Sequence, residues 1–573
     1  MVEPSCPSTP SATSNGSTIA DARHSAGLSQ RELAERIGVS VWTVAGIERG
    51  ERDPGPHLAA VAAATGRSAD LLRSEPAQGS SETTQEKPGP GASQDSGAAP
   101  DEATDRPTGG HWSRNIILAS IVTLVTIRFF AEDIGVLPRA VKLVDIPILL
   151  VLLVLSWVAP RAKHSTVPST SYLVPAVAFL AVCIGSVLIN SGRTEAGPAL
   201  LFIYGFLAPI LLFHVVRTLW PTGQAMSLSR LLVALACVEF AVVLFIDLPE
   251  FLSSRNPDVV SGTFGENAYQ LVFFLLMCAA LVAGISTTER RRLVAPLAPL
   301  FFAATVATTL LAQYRAITLT FALTVLLIAT LVGLVRVRGA IAGVLIAIAL
   351  AAGLVLVPNV FPELKLQGTI DTLSGNPGSY VSHRLEAGSD IADVYTDQPS
   401  SIVIGAGPGT FNSRAWETYY SPDEQASLGV VFPFAGSTEQ TDIAQKYTIP
   451  RLRNLQAVEG SWALTEPSAS YYALLAEVGL LGFVLMVAIY GRAFMDSVRM
   501  SLTALRRAPD GDPLPGLMLA SAAGFFVIIQ MAILENWWEV TRLTFILWIV
   551  FAVATKEFEA RYGTAPTTRG VAA

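Results

Sequence analysis

The residues of this chain best suited to do chemistry are arginines and carboxylates set in a polar interruption between two apolar halves. The stretch NPGSYVSHRLEAGSDIADVYTDQPSSIVIGAGPGTF, Asn376 to Phe411, carries His383 and Arg384 ahead of a glycine-rich turn. TEPSASYYALLAEVGLLG, Thr465 to Gly482, follows with Glu466, Ser468 and Glu477, and Arg315 stands in QYRAITL at the end of an apolar segment. A planar guanidinium matches phosphate oxygens better than an ammonium does, and a nearby carboxylate or imidazole can take a proton. The combination points to chemistry at a membrane surface on a lipid-linked substrate. GAGPGTF, Gly405 to Phe411, superficially resembles a phosphate cradle but lacks the strand, helix and lysine of one. It is expected to be a tight turn whose glycines let backbones pack closely. The cysteines Cys6, Cys183, Cys237 and Cys278 form no metal-ligand spacing, so no metal and no cofactor are expected. The last three lie in apolar segments and are expected to be buried thiols.

The elements that must position these residues are apolar. Of 573 residues 51% are hydrophobic and only 15% charged, and a mean hydropathy of +0.48 exceeds that of ordinary soluble domains. The expected fold is all-α, a polytopic helix bundle of about twelve membrane spans. These are centred near residues 122, 151, 180, 207, 238, 276, 302, 325, 348, 481, 525 and 548, with spans one to nine in 112–358 and ten to twelve in 470–556. Arginines and Lys163 cluster in alternate loops, around 161–163, 217–230, 290–292, 336–338 and 492–507. Basic loops stay in the cytoplasm, so both termini and the tail 557–573 are expected there, and the first thirty residues lack the apolar stretch of a cleaved signal. The loops at 249–267, 359–469 and 535–539 then face outward, and at about 110 residues the second is long enough to be a functional cap. Within it, Ser382–Tyr395 has helical apolar periodicity. Two mid-span acids, Glu239 and Glu477, are expensive in a bilayer, and pairing with an arginine of another span is the expected compensation.

Ahead of the spans, 1–21 reads as a disordered arm and 76–111 as a flexible linker of roughly 30 Å r.m.s. span. Between them, 22–75 holds LSQRELAERIGVSVWTVAGIERGERDPGPHLAAVAAATG, in which Ser29 and Glu32 form a capping box and Gly38 ends the helix. This segment resembles the Cro/C1-type helix-turn-helix. Trp42, Thr43 and Arg49 are the candidate DNA contacts, although Val41, Ala45 and Gly46 leave few hydrogen-bonding groups for bases. Seven arginines face seven acids over 22–75, without the basic surplus that phosphate binding favours. DNA and a cytoplasmic protein therefore both stand as partners of this module.

Four segments of 113–556 together resemble the bacterial O-antigen ligase and polymerase family: SGTFGENAYQ (Ser261–Gln270), QYRAITL (Gln313–Leu319), the loop His383–Phe411, and SYYALLAEVGLLG (Ser470–Gly482). The resemblance implies glycosyl transfer at the outer leaflet of a bacterial inner membrane. A glycan on an undecaprenyl diphosphate carrier would pass to a glycan or lipid acceptor by an inverting, metal-independent reaction. It places Arg315 and Arg384 on the diphosphate. Many ligases of the family carry a His-Asn pair where this chain has Ser468 and Ala469, which leaves Glu466 as the substitute base and His383 as the second candidate. Asn267, Ser468 and Glu477 complete the candidate substrate contacts. Two other readings remain: a membrane-tethered helix-turn-helix regulator of transcription, and a transporter of lipid-linked glycan, which would favour paired halves with broken helices.

Overall fold

The computed structural model describes residues 15–26, 28–37, 39, 44, 47–48, 57–66, 110–137, 141, 143–158, 172–254, 259–265, 267–288, 297–312, 315–335, 380–420, 441–451 and 469–563. The chain divides into two compact units, Met1–Thr104 and Asp105–Ala573, and the described residues of both are helical, with no strand.

In the first unit, α1 (Asn15–Ser25), α2 (Gln30–Ile37) and α3 (Leu58–Thr65) enclose a small core. Ile19, Ala22, Ile47, Leu58 and Val61 form one part of it, and Leu28, Leu33, Ala34 and Val44 the other. The capping box is present: Ser29 N–H donates to Glu32 Oε2 at 2.8 Å and Glu32 N–H to Ser29 Oγ at 3.2 Å. The module begins earlier than position 22, since α1 starts at Asn15 and buries Ile19. Its polar sequence, with few apolar residues on one face, hides this helix among arm-like residues. Arg23 is buried and donates to Glu48 Oε1 at 2.6 Å and to the Leu28 carbonyl at 2.8 Å. Burial alone would raise the Glu48 carboxyl, but hydrogen bonds from Arg23 and Gln30 hold it below its ordinary value.

The second unit runs through α4 (Gly110–Arg128), α5 (Asp145–Val158), α6 (Leu173–Ile189), α7 (Ala196–Leu219), α8 (Ala225–Val242) and α9 (Ala268–Thr288). It continues through α10 (Leu297–Ala312), α11 (Arg315–Gly333), α12 (Tyr380–Asp397), α13 (Arg414–Tyr420), α14 (Ser470–Arg507), α15 (Leu514–Met531) and α16 (Thr541–Tyr562). Among the described residues, six helical segments are long and apolar enough to cross a membrane: Trp112–Asp133, Ala196–Leu219, Ala225–Ser254, Ala268–Thr288, Ser470–Arg507 and Leu514–Met531. Helices also stand at the expected centres near 151, 180, 302, 325 and 548. The first three are shorter, and the 14 residues of α5 rise about 21 Å against a hydrocarbon core of about 30 Å. The expected span near 348 lies outside the described residues.

Burial orders the bundle. The α15 and α9 windows are 83% and 72% buried, whereas the segments Trp112–Asp133 and Ala225–Ser254 are each 33% buried, which puts α9 and α15 at the centre. There Gly284 and Gly516 abut with no room for a Cβ on either, the close backbone approach that small residues permit. Around them Tyr490 stacks on Trp538 at 4.4 Å, and Trp548 packs edge-on to Phe525 at 5.0 Å. Trp157, Val174 and Phe245 are exposed on the rim, as lipid-facing positions require. Cys183 and Cys278 are buried as expected, but Cys237 is exposed, because α8 turns most of its surface outward.

Candidate functional site

Two glycine-bearing turns are each wrapped around a buried carboxylate. The turn after α12 passes through left-handed conformations at Gly405 and Gly409, with φ of 75° and 73°, which a side chain would strain. It donates the backbone N–H groups of Gly409, Phe411 and Ser413 to the Glu477 carboxylate, the last two at 3.1 Å. Ala406 and Gly407 N–H donate to the Ala476 and Glu477 carbonyls at 2.8 and 3.0 Å, and those carbonyls are available because α14 breaks its helical path at Gly479. The same design recurs at SGTFG. Glu239 accepts Thr263 N–H at 2.8 Å, and Asp247 accepts the N–H groups of Ser261 and Gly262 at 3.0 and 2.7 Å. The arginine partners expected for Glu239 and Glu477 are therefore replaced by backbone amides, which satisfy a carboxylate without a second buried charge.

Docking of the 405–413 turn carries its neighbours onto α14 and α7. The helix expected over Ser382–Tyr395 spans Tyr380–Asp397. Its Ile391 and Val394 pack with Phe411, Ile443 and Ala476, and the Tyr395 hydroxyl donates to the Leu475 carbonyl at 2.7 Å. Trp416, Tyr419 and Tyr420 of α13 pack with Leu201 of α7.

Where α13 meets the bundle, a cleft of about 140 Å³ opens. Its walls come from the C-terminal end of α4, the N-terminal ends of α5, α7, α9 and α16, and α13, so all of them belong to one end of the bundle. Arg128, Arg414 and Arg542 line it together with Asp145, Glu417 and Glu539. Asp145 accepts the Tyr204 hydroxyl at 2.7 Å, Arg128 Nε lies 3.7 Å from Glu132 Oε1, and Arg414 Nη1 lies 3.8 Å from Glu417 Oε2. Glu539 rests against Gly205, whose Cβ would come 3.4 Å from its Cγ. Its Oε2 accepts Arg414 N–H at 3.0 Å and the Asn536 amide. Burial, ahead of these contacts, pushes the Glu539 carboxyl up to about 7.

The residues singled out from sequence fall into three groups. Arg315 opens α11 and His383 and Arg384 lie in α12, but their side chains are outside the described residues, as are Glu466, Ser468, Trp42, Thr43 and Arg49 altogether. Asn267 is half-buried at the start of α9, its Nδ2 donating to the Phe264 carbonyl at 3.3 Å, a local contact that closes the SGTFG turn. Glu477 is fully buried and occupied by the loop. Arg128, Arg414, Glu539 and Arg542 escaped the sequence reading. The one available signal was position: Arg414 follows the GAGPGTF turn by three residues, and Glu539 ends the outward ENWWE.

Compared with known families, residues 19–72 match the model described as Helix-turn-helix. No curated protein matches the chain. Residues 19–72 are a helix-turn-helix domain of the Cro/C1 type, in agreement with the motif and with α1 to α3.

Proposed function

We propose that the second unit transfers glycans from an undecaprenyl diphosphate carrier at the outer leaflet of a bacterial inner membrane, as an O-antigen ligase or polymerase does. The observation that carries this reading is the cleft walled by Arg128, Arg414 and Arg542. Breaking the glycosyl–diphosphate bond places negative charge on the leaving group, and preorganised guanidiniums are well matched to stabilise it. In this reading the cleft end faces outward, and the resemblance adds Arg315 and Arg384 as further diphosphate contacts. The described residues 380–420 and 441–451, packed on α14 and α7, lie at the same end and in this reading exclude water from the transfer.

Glycan from wild-type and deletion strains tests it on a gel. Loss of long chains identifies a polymerase, and loss of attachment with chains kept on the carrier identifies a ligase. An unchanged ladder overturns the reading. The helix-turn-helix match at 19–72 favours an alternative reading of the chain, a membrane-tethered regulator of transcription, for which an unchanged ladder and altered transcripts are the expected result.

A further inference from the structure

Two side chains of the cleft leave a buried acceptor oxygen unpartnered. Glu539 and Gln270 are only 5% and 1% exposed, both line the cleft, and neither Glu539 Oε1 nor Gln270 Oε1 has a hydrogen-bond partner among the described residues. Buried acceptors are normally satisfied, and a ligand hydroxyl is the donor that a cleft can admit. The acids beside them have other partners: Asp145 accepts from Tyr204, Glu417 forms an ion pair with Arg414 at 3.8 Å, and Glu477 is held by its loop. Glu539 is also anchored through its second oxygen, by the Arg414 amide and Asn536, with the Ala415 amide beside the carboxylate, which fixes the direction of Oε1.

A cleft lined by guanidiniums and by unpartnered acceptors suits a ligand that joins phosphate to hydroxyl groups. Building on the glycosyl-transfer reading, we infer that Glu539 is the general base that takes the proton of the acceptor hydroxyl, with Gln270 accepting a neighbouring sugar hydroxyl. The O–H proton passes to Glu539 Oε1 as the oxygen bonds to the anomeric carbon. The bond from that carbon to the phosphate oxygen breaks with its electron pair on the carrier diphosphate, and Glu539 later releases the proton to water. The charges around the carboxylate are mixed: Arg128, Arg414 and Arg542 favour its ionised form, while Asp145, Glu417 and the buried Glu477 oppose it. With burial added, its pKa of about 7 leaves it ready to accept a proton at neutral pH.

The test uses the full-length protein in lipid nanodiscs. Binding is read with farnesyl diphosphate, and transfer with the carrier-linked glycan extracted from the deletion strain. Arg414→Ala is expected to weaken farnesyl diphosphate binding about tenfold. Glu539→Gln is expected to bind it within about threefold of wild type, with KM similarly kept, while kcat falls about 100-fold or more. The rise of wild-type rate with pH through about 7 disappears in Glu539→Gln and moves to lower pH in Glu539→Asp. A wild type that neither binds farnesyl diphosphate nor transfers glycan removes the glycosyl-transfer reading and this inference together. A wild type that does both, beside a Glu539→Gln that keeps its rate and pH inflection, overturns the inference alone. If Glu539→Gln does not fold, an unmoved inflection in Glu539→Asp decides against it.

Discussion

Single residues in this protein divide by whether their polar atoms are already taken. Glu477, Glu239 and Asp247 accept backbone amides, so their loss is a folding event, whereas the proposed anion site rests on arginines. Arg315→Ala and Arg384→Ala are expected to abolish glycan product while the protein still accumulates in membranes. Lysine at either site rescues little, because an ammonium cannot make the bidentate contact, and full output from either alanine variant would remove that arginine from the anion site. Glu539 makes a separate stability prediction. Its folded-state pKa, about 7, exceeds that of an ordinary carboxyl, so the protonated form is favoured in the folded protein. The resulting stabilisation is complete below the ordinary carboxyl pKa and is lost as pH rises through the folded value. The melting temperature in detergent should therefore fall between about pH 5 and 8, and the fall should be shallower in Glu539→Gln. Parallel pH curves for the two proteins would contradict this.

At the scale of elements, the recurring device is a glycine turn closed on a buried carboxylate. Sequence periodicity made α12 legible, and the glycine spacing of GAGPGTF identified a close-packing turn. The partner of that turn was not legible, because a mid-helix acid reads equally well as half of an ion pair. Only the break of α14 at Gly479 frees the carbonyls and brings the carboxylate to the loop. Glu477→Ala leaves three buried amides without an acceptor and is expected to destabilise the protein by roughly 3 kcal/mol or more, with Glu477→Gln milder because one acceptor oxygen remains. Gly405→Ala should be comparably damaging, since a Cβ there meets the α14 backbone. Thermal melting of the purified protein measures both, and an unaffected Gly405→Ala would show that the turn is not docked as described. The helix-turn-helix shows the converse case. Its capping box and α2 were readable from local sequence, whereas α1 was not, because Ile19 and Ala22 acquire meaning only against Leu58 and Val61.

For the whole molecule, topology and the role of the first unit can be tested without knowing the substrate. Reporter fusions after Gly192, Gly378 and Trp537 should be active only outside, and fusions after Arg292 and Ala504 only inside. A cytoplasmic signal at Gly378 would put the arginine cleft on the wrong side for an outer-leaflet reaction. Deleting residues 1–110 is expected to leave transfer intact in isolated membranes while altering its regulation in cells. The 1–80 fragment should bind duplex DNA weakly and with little sequence preference, since Arg23 is committed to Glu48 and the charge is balanced. Tight, selective binding to a site near its own gene would instead raise the regulator reading. The sequence by itself determined that the chain is helical, that long apolar segments dominate it, and that a Cro/C1-type domain precedes them, because hydropathy, helix caps and a local motif depend on near neighbours. The cleft was decided only by tertiary structure. Arg128, Tyr204, Gln270, Arg414 and the neighbouring pair Glu539 and Arg542 lie far apart along the chain, and each alone reads as an ordinary polar residue at a membrane edge. Packing of α4, α7, α9, α13 and α16 at one end of the bundle makes them a single site.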